Sequence, residues 1–345
     1  MTNKYIDQIV FHEANRLRNQ KNPFIRKGSM GLCLFLFDMY ELTSNSKYFD
    51  LAQEFLRLSC SSIKRNSKVN IVDGLSGIGL SIIYLYKKEY FTGNLYQILK
   101  SIDDEIYKNV TSSIDYDKNF SINGHEEALM DVALYMVERV TECNMPKTEE
   151  RILKRFLYHI INKIYQSHDY IFYLEPIPFS LSYKLARFVF LLSKAYLIDI
   201  CQDRVLHIWE ESRSTILAQS PFLGYNKTLL LCSFFELQKN IPTDKRLNGV
   251  IDDFKNDISV SKIITNEIPA NSMSMLSGLP GLIRLLLKMN FSLTNSEWEL
   301  LLHKLESTIY YGMEYREVRE KCFTGLNGVL GYISAYQNLK YLKQP

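Results

Sequence analysis

The acidic run His125-Glu126-Glu127, with Asp131 one helical turn further on, is the stretch of this chain best suited to acid–base chemistry. An imidazole beside carboxylates can take a proton from a thiol or return one to an enolate. We therefore take His125, Glu126 and Asp131 as candidate catalytic residues. The competing interpretation is structural: an acidic helix start stabilised by the helix dipole, with Asn123 as its cap.

The elements that position this run belong to a repeat. Eight of the 15 glycines fall in four copies of a Gly-x-x-Gly pattern that precedes an apolar helix, so the pattern is not an accident of composition. These copies are 28–31, 74–77, 278–281 and 325–328. Three further starts keep the interval without the glycines, at 128–131, 182–185 and 225–228; the first has an alternative register three residues earlier, centred on Glu126.

Amphipathic helices are predicted between these starts, near 148–165, 201–218, 244–256 and 295–311, the last with a Thr294/Glu297 capping box. The sequence therefore predicts an all-α fold, an α/α toroid of about seven inner and seven outer helices in a single domain over residues 1–345. The first outer helix and the last inner helix would close the ring. Glycines would leave backbone N–H groups facing a pocket on the axis, ringed by the seven starts.

Composition restricts the function classes. A formal net charge of +3 gives no reason to propose nucleic acid or an anionic membrane as partner. The six cysteines form no C-x-x-C pair, which is typical of reduced thiols in a cytosolic protein. The first residues lack a signal-peptide core, and no apolar run reaches the ~18 residues that span a bilayer. We expect a soluble, cytoplasmic protein.

The spaced Gly-x-x-Gly starts resemble those of the lanthionine synthetase C-like family, over residues ~1–340. The resemblance implies an α/α toroid whose pocket holds a zinc ion bound by two cysteines and one histidine. In that family the zinc converts a peptide cysteine to thiolate, which adds to a dehydroalanine or dehydrobutyrine and forms a thioether ring. It also implies a precursor peptide, and a dehydratase or other modification enzyme, as partners.

The zinc-binding positions of the family are not matched here. The family's Trp-Cys-x-Gly start reads Phe222 and Leu223 in the fifth unit, and its Cys-His-Gly start reads Leu276-Ser277-Gly278 in the sixth. Leucine and serine cannot supply two thiolates and an imidazole. We therefore predict no cofactor and no metal site, and a divergent cyclase-like protein that is either non-catalytic or uses other residues.

These observations raise one question about inner-helix charges and two alternative functions. Lys184, Arg187 and Arg284 lie on otherwise apolar inner helices, so they either find partners or line a wet cavity for an acidic peptide or leader segment. The toroid can also be a non-catalytic scaffold that presents a concave surface to a peptide or partner. A carbohydrate-active enzyme on a related toroid would need a second carboxylate to pair with Glu126, Glu127 or Asp131.

Overall fold

The structure, a computed structural model, describes residues 3–64, 67–116, 125–167, 171–172, 183–242, 245–268, 278–314 and 329–342. Fourteen helices alternate between an outer and an inner layer in these residues. The outer helices are α1 (Asn3–Gln20), α3 (Ser46–Ser61), α5 (Leu95–Tyr116), α7 (Lys147–Gln166), α9 (Asp199–Leu217), α11 (Lys245–Asp257) and α13 (Asn295–Glu314). The inner helices are α2 (Ser29–Thr43), α4 (Leu75–Lys87), α6 (His125–Glu142), α8 (Lys184–Ala195), α10 (Gly224–Asn240), α12 (Leu279–Lys288) and α14 (Val329–Leu342).

The inner helices form a closed ring. Each packs against the next in chain order, and α14 returns to pack on α2. The closing contact of the inner ring joins two inner helices, α14 and α2. The expected pairing of α1 with the last inner helix stays a prediction. Contacts between inner helices join like ends: Lys87 near the end of α4 reaches Glu142 at the end of α6. The inner helices consequently run parallel, with all their starts at one end of the ring.

Burial explains the two layers. Inner helices have neighbours on both sides and an outer helix behind, so nine residues of the 13-residue α4 are buried, around most of its circumference. Outer helix α11 buries only Leu247, Ile251 and Phe254, spaced to form one stripe. The predicted toroid of seven inner and seven outer helices is confirmed for the described residues.

Local signals also behave as the sequence predicts. Thr294 and Glu297 form the capping box: Glu297 N–H donates to Thr294 Oγ1 over 3.3 Å, and Thr294 N–H donates to Glu297 Oε2 over 3.0 Å. The four outer helices predicted between 148 and 311 lie within a few residues of their predicted bounds. Helix α6 begins at His125, three residues before Ala128, which matches the alternative register.

One short irregular element lies outside the fourteen helices. A turn of α-helix at Val260–Lys262 continues into a π-helical turn at Ile263–Glu267. Its residues reach the start of α10. No described helix is long and apolar enough to cross a membrane.

Candidate functional site in the toroid lumen

The glycine-marked starts of α2 and α4 are capped by backbone. Leu75 N–H donates to the Lys68 carbonyl over 2.8 Å, and Ser29 N–H donates to the Asn22 carbonyl over 2.8 Å. A Cβ at Gly74 would lie 2.5 Å from the Lys68 oxygen, so only glycine allows the loop to come this close. The expectation that these first amides are left facing the axial pocket is therefore wrong for Ser29 and Leu75, because each donates to a loop carbonyl.

The start of α10 is built differently. Glu267, from the π-helical turn, accepts Gly224 N–H at 2.8 Å and Tyr225 N–H at 3.0 Å. Both carboxylate oxygens are thus used on helix amides at the positive end of the helix dipole. Leu223 is the N-cap residue and is half-buried, while Phe222 beside it is 97% exposed. No local sequence signal points to Glu267 as the cap, because it lies 43 residues from Gly224.

Asp131 is buried and bonded on both oxygens. Arg187 of α8 donates to Oδ1, and Ile71 N–H donates to Oδ2 over 2.9 Å. Burial raises the pKa of Asp131, while Arg187 and the Ile71 amide oppose that rise. Asp131 thus holds the loop before α4 and the side of α8 together. Its catalytic role stays a prediction.

The remaining candidate residues cannot be placed in the site. His125 and Glu126 begin α6, but their side chains lie outside the described part of the chain. Leu276 and Ser277 are not among the described residues at all. The two inner-helix arginines are partnered: Arg187 with Asp131, and Arg284 with Asp38, which lies 3.1 Å away on α2. Both arginines therefore bind other inner helices, which is the first of the two outcomes that the sequence left open.

A cavity of about 600 Å³ with room for a ligand lies on the lumenal side of α4, α6 and α8. Ile71 lines it at the level of the Asp131–Arg187 pair, and the lining continues towards the ends of the inner helices. It is lined by Ile71, Leu80, Ile83, Tyr84, Lys87, Lys88, Leu134, Glu138, Phe190 and Lys194. This cavity lies towards the ends of the inner helices. The pocket expected at the helix starts stays a prediction, because several starts lie outside the described residues.

The family's zinc site does not fit the described residues. Leu223, which the family resemblance aligns with a zinc-binding cysteine, has a hydrocarbon side chain that offers no electron pair to a metal. Within the part of the chain that the structure describes, no group of three or more His, Cys, Asp and Glu side chains could hold a metal ion. Burial raises the pKa of the Cys201 thiol to about 12 and also raises the pKa of Cys232, so both stay protonated at neutral pH.

Comparisons with known proteins agree with the architecture. Residues 20–175 match the model of the family described as lanthionine synthetase C-like protein. The solved structure of a nisin cyclase aligns with a TM-score of 0.59 and 14% identity, over 98% of this chain and 95% of the other. A GH76A α-1,6-mannanase from Salegentibacter sp. HEL1_6 aligns at 0.43 and 13% identity, over 75% and 88% of the two chains, a score too low to establish a shared fold.

No curated protein sequence matches the chain. The family match covers residues 20–175, and the alignment with nisin cyclase extends over nearly the whole chain. The chain is therefore similar in sequence to lanthionine synthetase C-like proteins over residues 20–175, and it has the α/α toroid fold of nisin cyclase.

Proposed function

We propose that the protein binds a ribosomally made peptide and assists the addition of its cysteine thiols to dehydroamino acids, without the family's zinc site. The observation that carries the proposal is the closed seven-unit toroid, which aligns with a nisin cyclase over 98% of the chain. The dehydroamino acids come from dehydration of serine or threonine, so a dehydratase is the proposed partner enzyme.

In this proposal His125 is the general base. Its imidazole takes the thiol proton, the sulfur bonds to the β-carbon of the dehydroamino acid, and the double-bond electrons move towards the carbonyl as an enolate. The imidazolium then returns the proton to the α-carbon, so no oxidant or reductant is needed. Glu126 would orient the imidazole. Asp131 would act as a positioning residue, since its oxygens are engaged by Arg187 and Ile71.

The test uses the purified protein and a C-terminally amidated peptide that carries one cysteine and one dehydroalanine. Ring closure is followed by mass spectrometry after thiol alkylation, because a cyclised cysteine no longer takes the label. We expect labelling to fall faster with protein than without it. His125→Ala should slow closure by about 10²-fold or more, the usual contribution of a general base, whereas Glu127→Gln serves as the matched control.

A chelator separates the proposal from the family's zinc mechanism. Because Leu223 and, by sequence, Leu276 and Ser277 replace the ligands, we expect closure to be unchanged by EDTA. Stoichiometric zinc in the purified protein, together with EDTA inhibition, would overturn the zinc-independent part. If, for every cognate precursor, alkylation of the cysteine is lost no faster with the protein than without it, the cyclase assignment is wrong.

A non-catalytic scaffold is the second candidate, and one observation favours it: Phe222 is 97% exposed at the start of α10. An exposed aromatic side chain at a helix start is a common anchor for a partner. Saturable peptide binding that is weakened by Phe222→Ala, with no ring closure, would support the scaffold. For a carbohydrate-active enzyme no comparable observation exists among the described residues, where Glu138 is the one carboxylate that lines the cavity.

A further inference from the structure

The lining of the cavity beside α4, α6 and α8 changes from apolar to charged along its length. On α4 the lining residues Leu80, Ile83 and Lys87 fall on a single helical face, and Lys88 follows as the C-cap residue. On α6 Leu134 is followed by Glu138, and on α8 Phe190 is followed by Lys194. All three helices run in the same direction, so the apolar lining lies deep and the charged lining forms a rim.

The deep end is closed by a fixed structure. Asp131 and Arg187 lie one helical turn before Leu134 and Phe190, and their ion pair joins α6 to α8. Ile71, whose N–H is bound by Asp131, lines the cavity at this level. An apolar group that enters from the rim would therefore stop against Ile71 and not pass through to the helix starts.

The rim carries more ammonium groups than carboxylates. Three of its cavity-lining residues are lysines and one, Glu138, is a carboxylate. Lys87 is paired with Glu142 at 2.5 Å and Lys88 with Glu41 at 2.8 Å. Lys194 shares its partner Glu236 with two further ammonium groups, those of Lys239 and Lys288, at 3.0, 3.2 and 3.8 Å. One carboxylate thus faces three cations at this end of the lumen.

Unused hydrogen-bonding capacity also points towards an anion. Tyr84 is 40% exposed, lines the cavity, and its hydroxyl has no hydrogen-bond partner among the described residues. Lys88 lies 6.0 Å from the centre of the Tyr84 ring, which places one ammonium group beside this phenol. A ligand oxygen at the rim could accept from the Tyr84 hydroxyl and from Lys88 or Lys194 together.

We propose that this cavity binds the apolar C-terminus of a peptide, with the side chains against Leu80, Leu134 and Phe190 and the terminal carboxylate at the lysine rim. The volume of about 600 Å³ is that of a small-ligand pocket. The inference rests on the proposed function, because it names the end of the peptide that the toroid holds. It places this contact at the opposite end of the lumen from the helix starts.

The shared chemistry, an apolar body with one carboxylate, also describes a free fatty acid. Isothermal titration calorimetry therefore compares three probes: an acetylated Ala-Leu-Val-Phe peptide with a free carboxylate, the same peptide as its amide, and decanoate. None contains cysteine or a dehydroamino acid, so the result is independent of ring closure. We expect the acid peptide to bind at least tenfold more tightly than the amide, about 1.4 kcal/mol, and more tightly than decanoate.

Two variants locate the site. Lys88→Gln with Lys194→Gln should weaken the acid peptide to the level of the amide and leave the amide unchanged; Glu236 then still has Lys239 and Lys288 as partners. Leu134→Trp should fill the cavity and abolish binding of both peptides. Lys100→Gln, on outer helix α5, is the matched control and should have no effect. Thermal unfolding of each variant confirms that the fold is kept.

Each other outcome contradicts the proposal. Equal affinity for the acid and amide peptides would show that the rim does not bind the carboxylate. Unchanged binding in Leu134→Trp would show that the peptide does not occupy the cavity. Tighter binding of decanoate than of the acid peptide would assign the pocket to fatty acids. Ring closure of the amidated substrate without binding of the acid peptide would keep the proposed function and reject this inference alone.

Discussion

Helices α4 and α10 are both inner helices of one ring, yet their first amides are satisfied in opposite ways. At α4 the acceptor is the carbonyl of Lys68, in the loop that leads into the helix. At α10 it is the carboxylate of Glu267, more than 40 residues further along the chain. The difference shows what the Gly-x-x-Gly pattern does in α2 and α4: it leaves room for a loop carbonyl to cap the first amides. The start of α10 lacks the pattern, and there a distant side chain caps the amides.

The glycines of α4 also mark where two inner helices touch. A Cβ at Gly77 would lie 1.7 Å from the Ile71 carbonyl oxygen, and one at Gly79 would lie 2.3 Å from Cε2 of Tyr135. Tyr135 cannot swing aside easily, because it is fully buried and its hydroxyl donates to Asp103 over 2.6 Å. Ile71 is thus held from two sides, since Asp131 binds its N–H while Gly77 makes room for its carbonyl.

The largest effect is expected for Gly77→Ala. The added methyl group meets backbone atoms of Ile71, which must shift and so strain the loop and its bond to Asp131. We expect a loss of more than about 2 kcal/mol in the free energy of unfolding, measured by urea titration.

Gly249→Ala on α11 is the matched control for that substitution. Nothing lies within 4 Å of a Cβ at Gly249, so the change should stabilise the protein by about 0.5–1 kcal/mol through helix propensity. A small loss at Gly77, of the same size as ordinary surface changes, would show that the loop yields and that backbone capping does not depend on glycine there.

The next largest effect is expected for Glu267→Ala. Two amides at the start of α10 lose their acceptor, and the cap is worth about 1–2 kcal/mol. Glu267→Gln keeps one acceptor oxygen and should lose less. Thermal unfolding measures the stability of both variants. An unchanged melting temperature in Glu267→Ala would mean that water caps α10 equally well. The contrast between the starts of α4 and α10 would then make no difference to stability.

The pH dependence of Asp131 gives a smaller effect with a defined sign. Burial raises its pKa above the ordinary 3.8, so the folded protein holds a proton that the unfolded chain releases. The contribution of Asp131 to stability is fully present below pH 3.8 and is lost as pH rises through the raised value. We expect the difference in unfolding free energy, wild type minus Asp131→Asn, to decrease from pH 3.5 to 6.5.

An increase over the same range would show that Arg187 and the Ile71 amide outweigh burial. Asp131 would then be a carboxylate that the folded protein prefers ionised. Comparison with the asparagine variant removes the titration of distant groups, which affects both proteins alike. The buried Asp103, whose pKa is also raised by burial, provides a reference through Asp103→Asn.

The ring could be predicted from the sequence because the signals for helix starts recur at regular intervals. Glycine pairs, apolar runs and caps such as Thr294 act over a few residues, so they give helix positions to within about a turn and the number of units. The acceptor of α10 could not be predicted, because Glu267 meets Gly224 only after the chain has passed through α11. The cavity was missed for a similar reason: its lining combines stripes from three helices, and no single stripe distinguishes Lys87, Lys88 and Lys194 from ordinary charged helix ends.

The smallest expected effect tests whether the start of α4 is complete without side-chain partners. Ser76 is fully buried and its hydroxyl has no hydrogen-bond partner among the described residues, whereas Ser81 on the same helix donates to the Gly77 carbonyl over 2.8 Å. Ser76→Ala should be neutral or stabilise by up to ~1 kcal/mol, because it removes an unpaired buried polar group. Ser81→Ala should instead cost about 1 kcal/mol.

Equal losses in the two serine variants would mean that Ser76 has a bound water as its partner. The start of α4 would then depend on a side chain after all, as the start of α10 depends on Glu267. If only Ser81→Ala loses stability, the loop carbonyls of Lys68 and its neighbours suffice at α4, and the two kinds of helix start differ in mechanism and not merely in sequence.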